Sequence, residues 1–141
     1  MNIRWAKVEE YAAVADHYAE CGYRGGLNAE DSVLIALTGD QIIGAVRLCR
    51  EHGAKLLRGM YIKQAFRGKG IGLSMLLYLK AQGDLEGCYC LPYGHLDRFY
   101  GKIGFEQIPI AEAPGFLVER LTQYRNNGSR DIILMQIKND L

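Results

Sequence analysis

The chain has 141 residues, enough for one ordinary domain, 1–141, and too few for two good cores. Seventeen basic against sixteen acidic residues leave a net charge of +1, so a broad polyanion-binding face, and with it a nucleic-acid partner, is not expected. With 49% apolar and 23% charged residues the composition is globular, and no apolar run approaches the ~18 residues of a membrane span.

Asn2–Lys7 reads as a first strand. Glu9–Cys21 reads as an amphipathic helix, with Tyr11, Ala12, Val14, Ala15, Tyr18 and Ala19 as its apolar set and Gly22 as its end. Asp31–Leu37 and Ile42–Arg50 form a hairpin across Thr38–Gln41. After the turn at His52-Gly53 a third strand runs over Lys55–Lys63. Arg67–Gly72 is a glycine-rich loop, and Ile71–Gln82 is a strongly apolar helix. Gly83 and Gly87 bracket a break before a short strand, Cys88–Leu91, which Pro92 stops. Gly94–Ile103 is helical and Gly104 ends it. A strand at Phe105–Ile108, a helix at Phe116–Tyr124 and a final strand at Asp131–Ile137 complete the chain. Strands ahead of a central helix, then strands alternating with helices, predict an α/β (α+β) layer fold around a mixed sheet.

Met1–Lys7 has no apolar core of the kind a secretory signal needs. The four cysteines, Cys21, Cys49, Cys88 and Cys90, form no C-x-x-C pair, so no metal site is expected. Free, mostly buried thiols in a reducing cytoplasm are the expectation. Cys88 and Cys90 would share one strand face as small lining side chains.

Glycine is the unusual component, 17 residues against 3 prolines. Part of the surplus is concentrated in Arg67-Gly68-Lys69-Gly70-Ile71-Gly72, between a strand and a helix. That arrangement makes an anion cradle. The first N–H groups of a helix lack intrahelical partners, the helix dipole favours negative charge there, and glycines let a phosphate approach the backbone. The nucleotide P-loop does not fit, because Lys63 stands where its first glycine belongs and Gly70 where its Ser or Thr belongs. The dinucleotide fingerprint fails at Leu73.

The pattern that does fit is R-x-x-G-x-G, from Arg67, Gly70 and Gly72, followed about thirty residues on by Tyr100–Phe105, Y-x-x-x-G-F. Together these resemble the GNAT acyltransferase family over about residues 55 to 108. The resemblance implies a central sheet of about six to seven strands with helices on both faces. Two splayed parallel strands, here Lys55–Lys63 and Cys88–Leu91, would admit acetyl-coenzyme A (CoA). Met60, Tyr61 and Ile62 would offer backbone groups to the pantetheine arm. Gly68, Lys69, Gly70, Ile71, Gly72 and Leu73 would hold the pyrophosphate, with Arg67 as the motif's first residue. Tyr100 matches the family's usual general acid.

The base is less defined. Relatives acting on protein N-termini carry a glutamate about twelve residues before the tyrosine, where this chain has Cys88. Their asparagine seven residues before it is Tyr93 here, which argues against a protein N-terminus as acceptor. Glu86 would share a face with Cys88 if the strand reached back to it, and is named as the catalytic base on that condition. Glu51, His52 and His95 are further candidates. If Arg47 and Arg58 pair across their turn, they either line an acceptor pocket for a carboxylate or phosphate or sit on a solvated sheet edge.

The resulting expectation is an acetyl-CoA-dependent N-acetyltransferase acting on a small-molecule or peptide amine. A CoA-binding sensor or assembly domain without turnover is the alternative. The final strand and sheet edge leave room for a homodimer.

Overall fold

A computed structural model describes residues 1–138. Its contacts group the chain into two compact units, Met1–Asp84 and Leu85–Leu141. The expected α/β class is borne out, with seven strands and four α-helices among the described residues.

The first unit holds β1 (Asn2–Trp5), α1 (Tyr11–Glu20), β2 (Ser32–Thr38), β3 (Gln41–Glu51), β4 (Ala54–Ile62) and α2 (Ile71–Ala81). Its four strands pair antiparallel in chain order. β2 is apolar at every inner position, and Val33–Leu37 are all buried. Such a run belongs to a strand covered on both faces. Val33, Ile35 and Leu37 pack with Val14 and Tyr18 of α1. Successive strand side chains alternate faces, so Leu34 and Ala36 point the other way, toward α2. Gly44 of β3 makes that second interface possible, because a Cβ there would lie 2.7 Å from Ile62 Cδ1 and 3.2 Å from Met75 Sδ.

The end of α1 directs the next segment back onto the helix. Gly22 takes a left-handed φ of 75°. Its N–H donates to the Ala19 carbonyl at 3.1 Å, and the Tyr23 N–H reaches back to Tyr18 at 2.9 Å. This is the glycine-closed helix end in which the residue after the glycine packs on the last turn. The Tyr23 and Tyr18 rings accordingly lie 4.6 Å apart.

A charge lies fully buried in this unit. Arg47 sits in the middle of β3 with 0% exposure. Its guanidinium donates to Asp31 Oδ2 at 2.7 Å, to the Tyr23 hydroxyl at 2.5 Å and to the Gly25 carbonyl at 3.3 Å. Asp31 also accepts from the Asn28 N–H at 3.0 Å, which closes the turn that leads into β2. Burial alone would raise the Asp31 carboxyl, but the Asn28 amide, Arg47 and the Cys49 thiol hold it below its ordinary value.

The second unit holds β5 (Tyr89–Cys90), α3 (Asp97–Gly101), β6 (Phe105–Gln107), α4 (Gly115–Asn126) and β7 (Met135–Ile137). β7 lies between β5 and β6, antiparallel to both. The final strand is shorter than the expected Asp131–Ile137. Pro92 has no N–H to donate, so pairing lapses past Cys90 to one bridge, Tyr93 to Ile132. The helix expected over Gly94–Ile103 is a 3₁₀ turn at Gly94–Leu96 followed by the short α3.

Removing one partner of a buried ion pair strands the other. Arg47→Met should therefore lower unfolding stability in urea by about 3–5 kcal/mol, and adding Asp31→Leu should recover much of it. A single variant as stable as the wild type would deny the pair this role. Acid should act on the same unit. Glu10, hydrogen-bonded by Arg4 at 2.8 and 2.9 Å and by the Lys7 N–H, is held down to about 2 from 4.5. Carboxyls depressed in the fold stabilise it above their unfolded pKa, and that contribution fades as pH falls through the folded value. The urea midpoint should thus drop between pH 5 and pH 2 on this account, and Glu10→Gln should flatten part of the slope.

Candidate active site

β4 leaves regular pairing at Gly59. Arg58 pairs with Arg47 and Tyr61 with Ala45, so Gly59 and Met60 together face Val46 alone. Gly59 adopts a φ of 64°, the left-handed conformation of a glycine bulge. A Cβ there would come within 3.0 Å of the Tyr18 hydroxyl oxygen and 3.1 Å of the Tyr23 ring, so glycine is required for space as well as for φ. Past the bulge Met60, Tyr61 and Ile62 are half-buried.

A 3₁₀ turn at Gln64–Phe66 leads to the glycine loop. Arg67 Nε donates to the Ile62 carbonyl at 2.9 Å, which ties the loop to the end of β4. Gly68 and Gly70 have φ values of 78° and 79°, and a Cβ on either would meet nothing within 4 Å. Gly70 is the N-cap of α2, and its carbonyl accepts from the Ser74 N–H and hydroxyl, each at 3.0 Å. The N–H groups of residues 68–73 have no backbone acceptor among the described residues. Two left-handed glycines, a run of unclaimed donors and an eleven-residue helix dipole form a concavity for an anion. Lys69, its ammonium 5.6 Å from the centre of the Phe66 ring, adds a local cation.

Tyr100 is in the second unit, on α3, and is buried. The Phe99 and Phe105 rings meet it edge-on at 5.0 and 5.9 Å. Cys88 and Cys90 are both buried, and burial pushes the Cys90 thiol well up, away from the nucleophilic thiolate.

Glu86 does not meet the condition set for it. Gly87 takes a φ of 69°, β5 begins only at Tyr89, and Glu86 is exposed in the preceding turn. His95 is exposed and stacks on Tyr93 at 5.9 Å. Glu51 faces Arg58 at 3.6 Å.

Arg47 and Arg58 do pair in register, yet they make neither an acceptor pocket nor a solvated edge. Arg47 is committed to Asp31 inside the fold, and Arg58 lies against Glu51.

Sequence reasoning missed four residues behind β4. His17 is buried, and its Nε2 lies 2.9 Å from the Tyr61 carbonyl. Tyr18 donates its hydroxyl to the Gly59 carbonyl at 2.8 Å. The Tyr23 ring lies tilted against Tyr61 at 4.9 Å while its hydroxyl accepts from Arg47. Asp31 is the fourth. The usable signals were the tyrosine directly after the helix-ending glycine and an arginine in the middle of an apolar strand.

Residues 29–107 match the family model described as "Acetyltransferase (GNAT) domain", more than half of the chain. The chain belongs to the GNAT acetyltransferase family. No curated protein sequence matches it significantly. Among solved structures it is similar to Rv2747 from Mycobacterium tuberculosis in complex with CoA, at a TM-score of 0.70 and 15% identity over 99% of this chain and 100% of that one. An aminoglycoside 6'-N-acetyltransferase complexed with coenzyme A also gives 0.70 and 15%, over 100% and 99%. N-acetylglutamate synthase from Neisseria gonorrhoeae, complexed with coenzyme A and N-acetyl-glutamate, gives 0.67 and 19%, over 99% of this chain but 35% of that one. These likenesses establish a shared fold.

The cradle makes a direct prediction. Gly70→Val forces a branched residue into the left-handed region, at a cost of roughly 1–2 kcal/mol. It also projects methyl groups into the concavity. Its melting temperature should no longer respond to CoA, while the wild type's rises. An unchanged response would mean the loop is not the phosphate site.

Proposed function

We propose that the protein is an acetyl-CoA-dependent N-acetyltransferase that moves an acetyl group directly to a primary amine of a small molecule or peptide. The observation that carries the reading is the cradle of unclaimed N–H groups at residues 68–73, opened by left-handed Gly68 and Gly70. Such a site suits the pyrophosphate of CoA, and the CoA complexes among similar structures support that choice of donor. In this reading Met60, Tyr61 and Ile62 present backbone groups to the pantetheine arm, as an added strand would find them.

The chemistry has three requirements. The amine must attack as the free base. The oxyanion needs an N–H donor. The departing thiolate needs a proton. A thiol near pKa ~8.5 facing a phenol near ~10 makes full transfer from tyrosine slightly uphill, but a strong hydrogen bond in the transition state suffices. Tyr100 is assigned that role. Direct transfer is preferred to an acetyl-cysteine because the Cys90 thiol is raised by burial. Glu86 is left out of the mechanism, and the amine gives its proton to solvent.

No helix of the described residues is long and apolar enough to cross a membrane. None of the four cysteines is in a disulfide, which fits a reducing cytoplasm. Amine acceptors as different as those in the names of the similar structures leave the acceptor's class as amine.

Thermal unfolding with CoA and acetyl-CoA tests the donor, since ligand at 100 times its dissociation constant should add about 2.7 kcal/mol. Thiol release across an amine library then tests transfer. Tyr100→Phe should keep acetyl-CoA affinity and lower kcat by about 10²-fold or more. Binding without release from any amine would favour a sensor, and undiminished turnover in Tyr100→Phe would return that residue to the core.

A further inference from the structure

β4 is gripped from α1 at two carbonyls. Lys63 N–H donates to Ile43, and Tyr61 pairs with Ala45, so the odd-numbered residues past the bulge turn their backbone groups toward β3. The N–H groups of Met60 and Ile62 therefore point to the opposite edge. Each belongs to a planar trans peptide whose other end is a gripped carbonyl. The Gly59 C=O and the Met60 N–H are one such unit, and the Tyr61 C=O and the Ile62 N–H are the next. The Tyr18 hydroxyl holds the first carbonyl at 2.8 Å. The second carbonyl, Tyr61, faces β3 opposite Ala45, and His17 Nε2 adds a further contact to it at 2.9 Å. A carbonyl only accepts, so Nε2 carries the proton.

A glycine at φ 64° gives the Gly59–Met60 peptide no steric preference of its own. Something else must fix its plane. Tyr18 is buried, its ring lies 4.6 Å from Tyr23, and Tyr23 is anchored by Arg47. The hydroxyl is thus held by a packed chain of side chains, and the peptide is held by the hydroxyl.

We propose that His17 and Tyr18 are positioning residues for the acyl donor, fixing the peptide planes of β4 so that the Met60 N–H is aimed at the acyl thioester carbonyl and the Ile62 N–H at the pantetheine arm. This rests on the reading of β4 as the donor strand. Neither side chain touches the donor. They act through the backbone, so they govern the acyl end and not the pyrophosphate end, which the glycine loop holds separately.

The test uses the full chain with CoA and [1-13C]acetyl-CoA. In the wild type the labelled carbonyl band should move to lower frequency on binding, as a hydrogen bond to the thioester requires. Tyr18→Phe and His17→Leu should bind CoA within about threefold of the wild type, because residues 68–73 are untouched. In Tyr18→Phe the carbonyl band should return toward the free value. His17 acts on the Ile62 N–H, so His17→Leu should reduce the shift of the 15N-labelled Ile62 amide resonance on CoA binding, and His17→Gln, with an amide N–H for the Tyr61 carbonyl, should restore it. A carbonyl band unchanged in Tyr18→Phe and an Ile62 amide shift unchanged in His17→Leu, with CoA still bound, would overturn the proposal and leave the donor reading standing. A wild type that binds no CoA would overturn both. If Tyr18→Phe fails to fold, the Leu and Gln pair at position 17 decides alone.

Discussion

A guanidinium with no exposure cannot stay unanswered in a folded protein, and Arg47 organises the first unit around that requirement. Its carboxylate, Asp31, comes from the end of the segment that links α1 to β2, so the ion pair fastens that segment to the sheet. Its second partner, the Tyr23 hydroxyl, fixes the start of the same segment. Between them the chain has little freedom at either end. The ring of Tyr23 is then pressed between Tyr18 and Tyr61, beside the bulge at Gly59. A charge that looks like a defect in an apolar strand thus sets the walls of β4. Burial would lower the guanidinium, but its hydrogen bonds to Asp31 and Tyr23 keep it charged. A neutral isostere would pack there without drawing in a carboxylate, and the segment would lose its anchor.

The proposed anion site rests on different physics. A pyrophosphate could be met by lysines and arginines, and the chain would then need to be basic. Here the donors are peptide N–H groups at residues 68–73, and the field is that of α2. Within the loop Arg67 and Lys69 add charge, and Arg67 already spends its Nε on Ile62. A net charge of +1 is therefore compatible with a strongly anionic ligand. The glycines matter for their torsions, since Gly68 and Gly70 turn successive N–H groups toward one concavity.

Legibility in the sequence followed the range of the forces. The glycine loop could be read because its requirements are local: positive φ, an open backbone and a helix start within six residues. The end of α1 at Gly22 was legible for the same reason. The second strand was legible because burial on both faces leaves an unbroken apolar run. Arg47 was not, since its partner lies sixteen residues away and no local pattern says which side of β3 is closed. The condition set for Glu86 fails because β5 begins only at Tyr89, and the positive φ of Gly87 turns the chain between the two. Tyr18 and His17 have the spacing of ordinary core residues on α1. Their hydroxyl and imidazole gain meaning only once β4 bulges toward them.

The same division explains why fold and donor were easier to infer than acceptor. At 15% identity and a TM-score of 0.70, most side chains differ while the backbone path persists. A donor site made from peptide groups and glycine torsions can survive such drift, because almost any side chain may flank it. An acceptor site has no such freedom. It must recognise one amine by charge and shape, which only side chains supply. This chain resembles to a similar degree a structure named for an aminoglycoside and one solved with N-acetyl-glutamate, a polycation and an anion. Likeness of fold therefore cannot select between them. Nor do the strand arginines select a carboxylate, because Arg47 is taken by Asp31 and Arg58 lies against Glu51. What distinguishes this chain from its relatives at the acceptor must be carried by side chains outside that pair, on a backbone that the ion pair holds still.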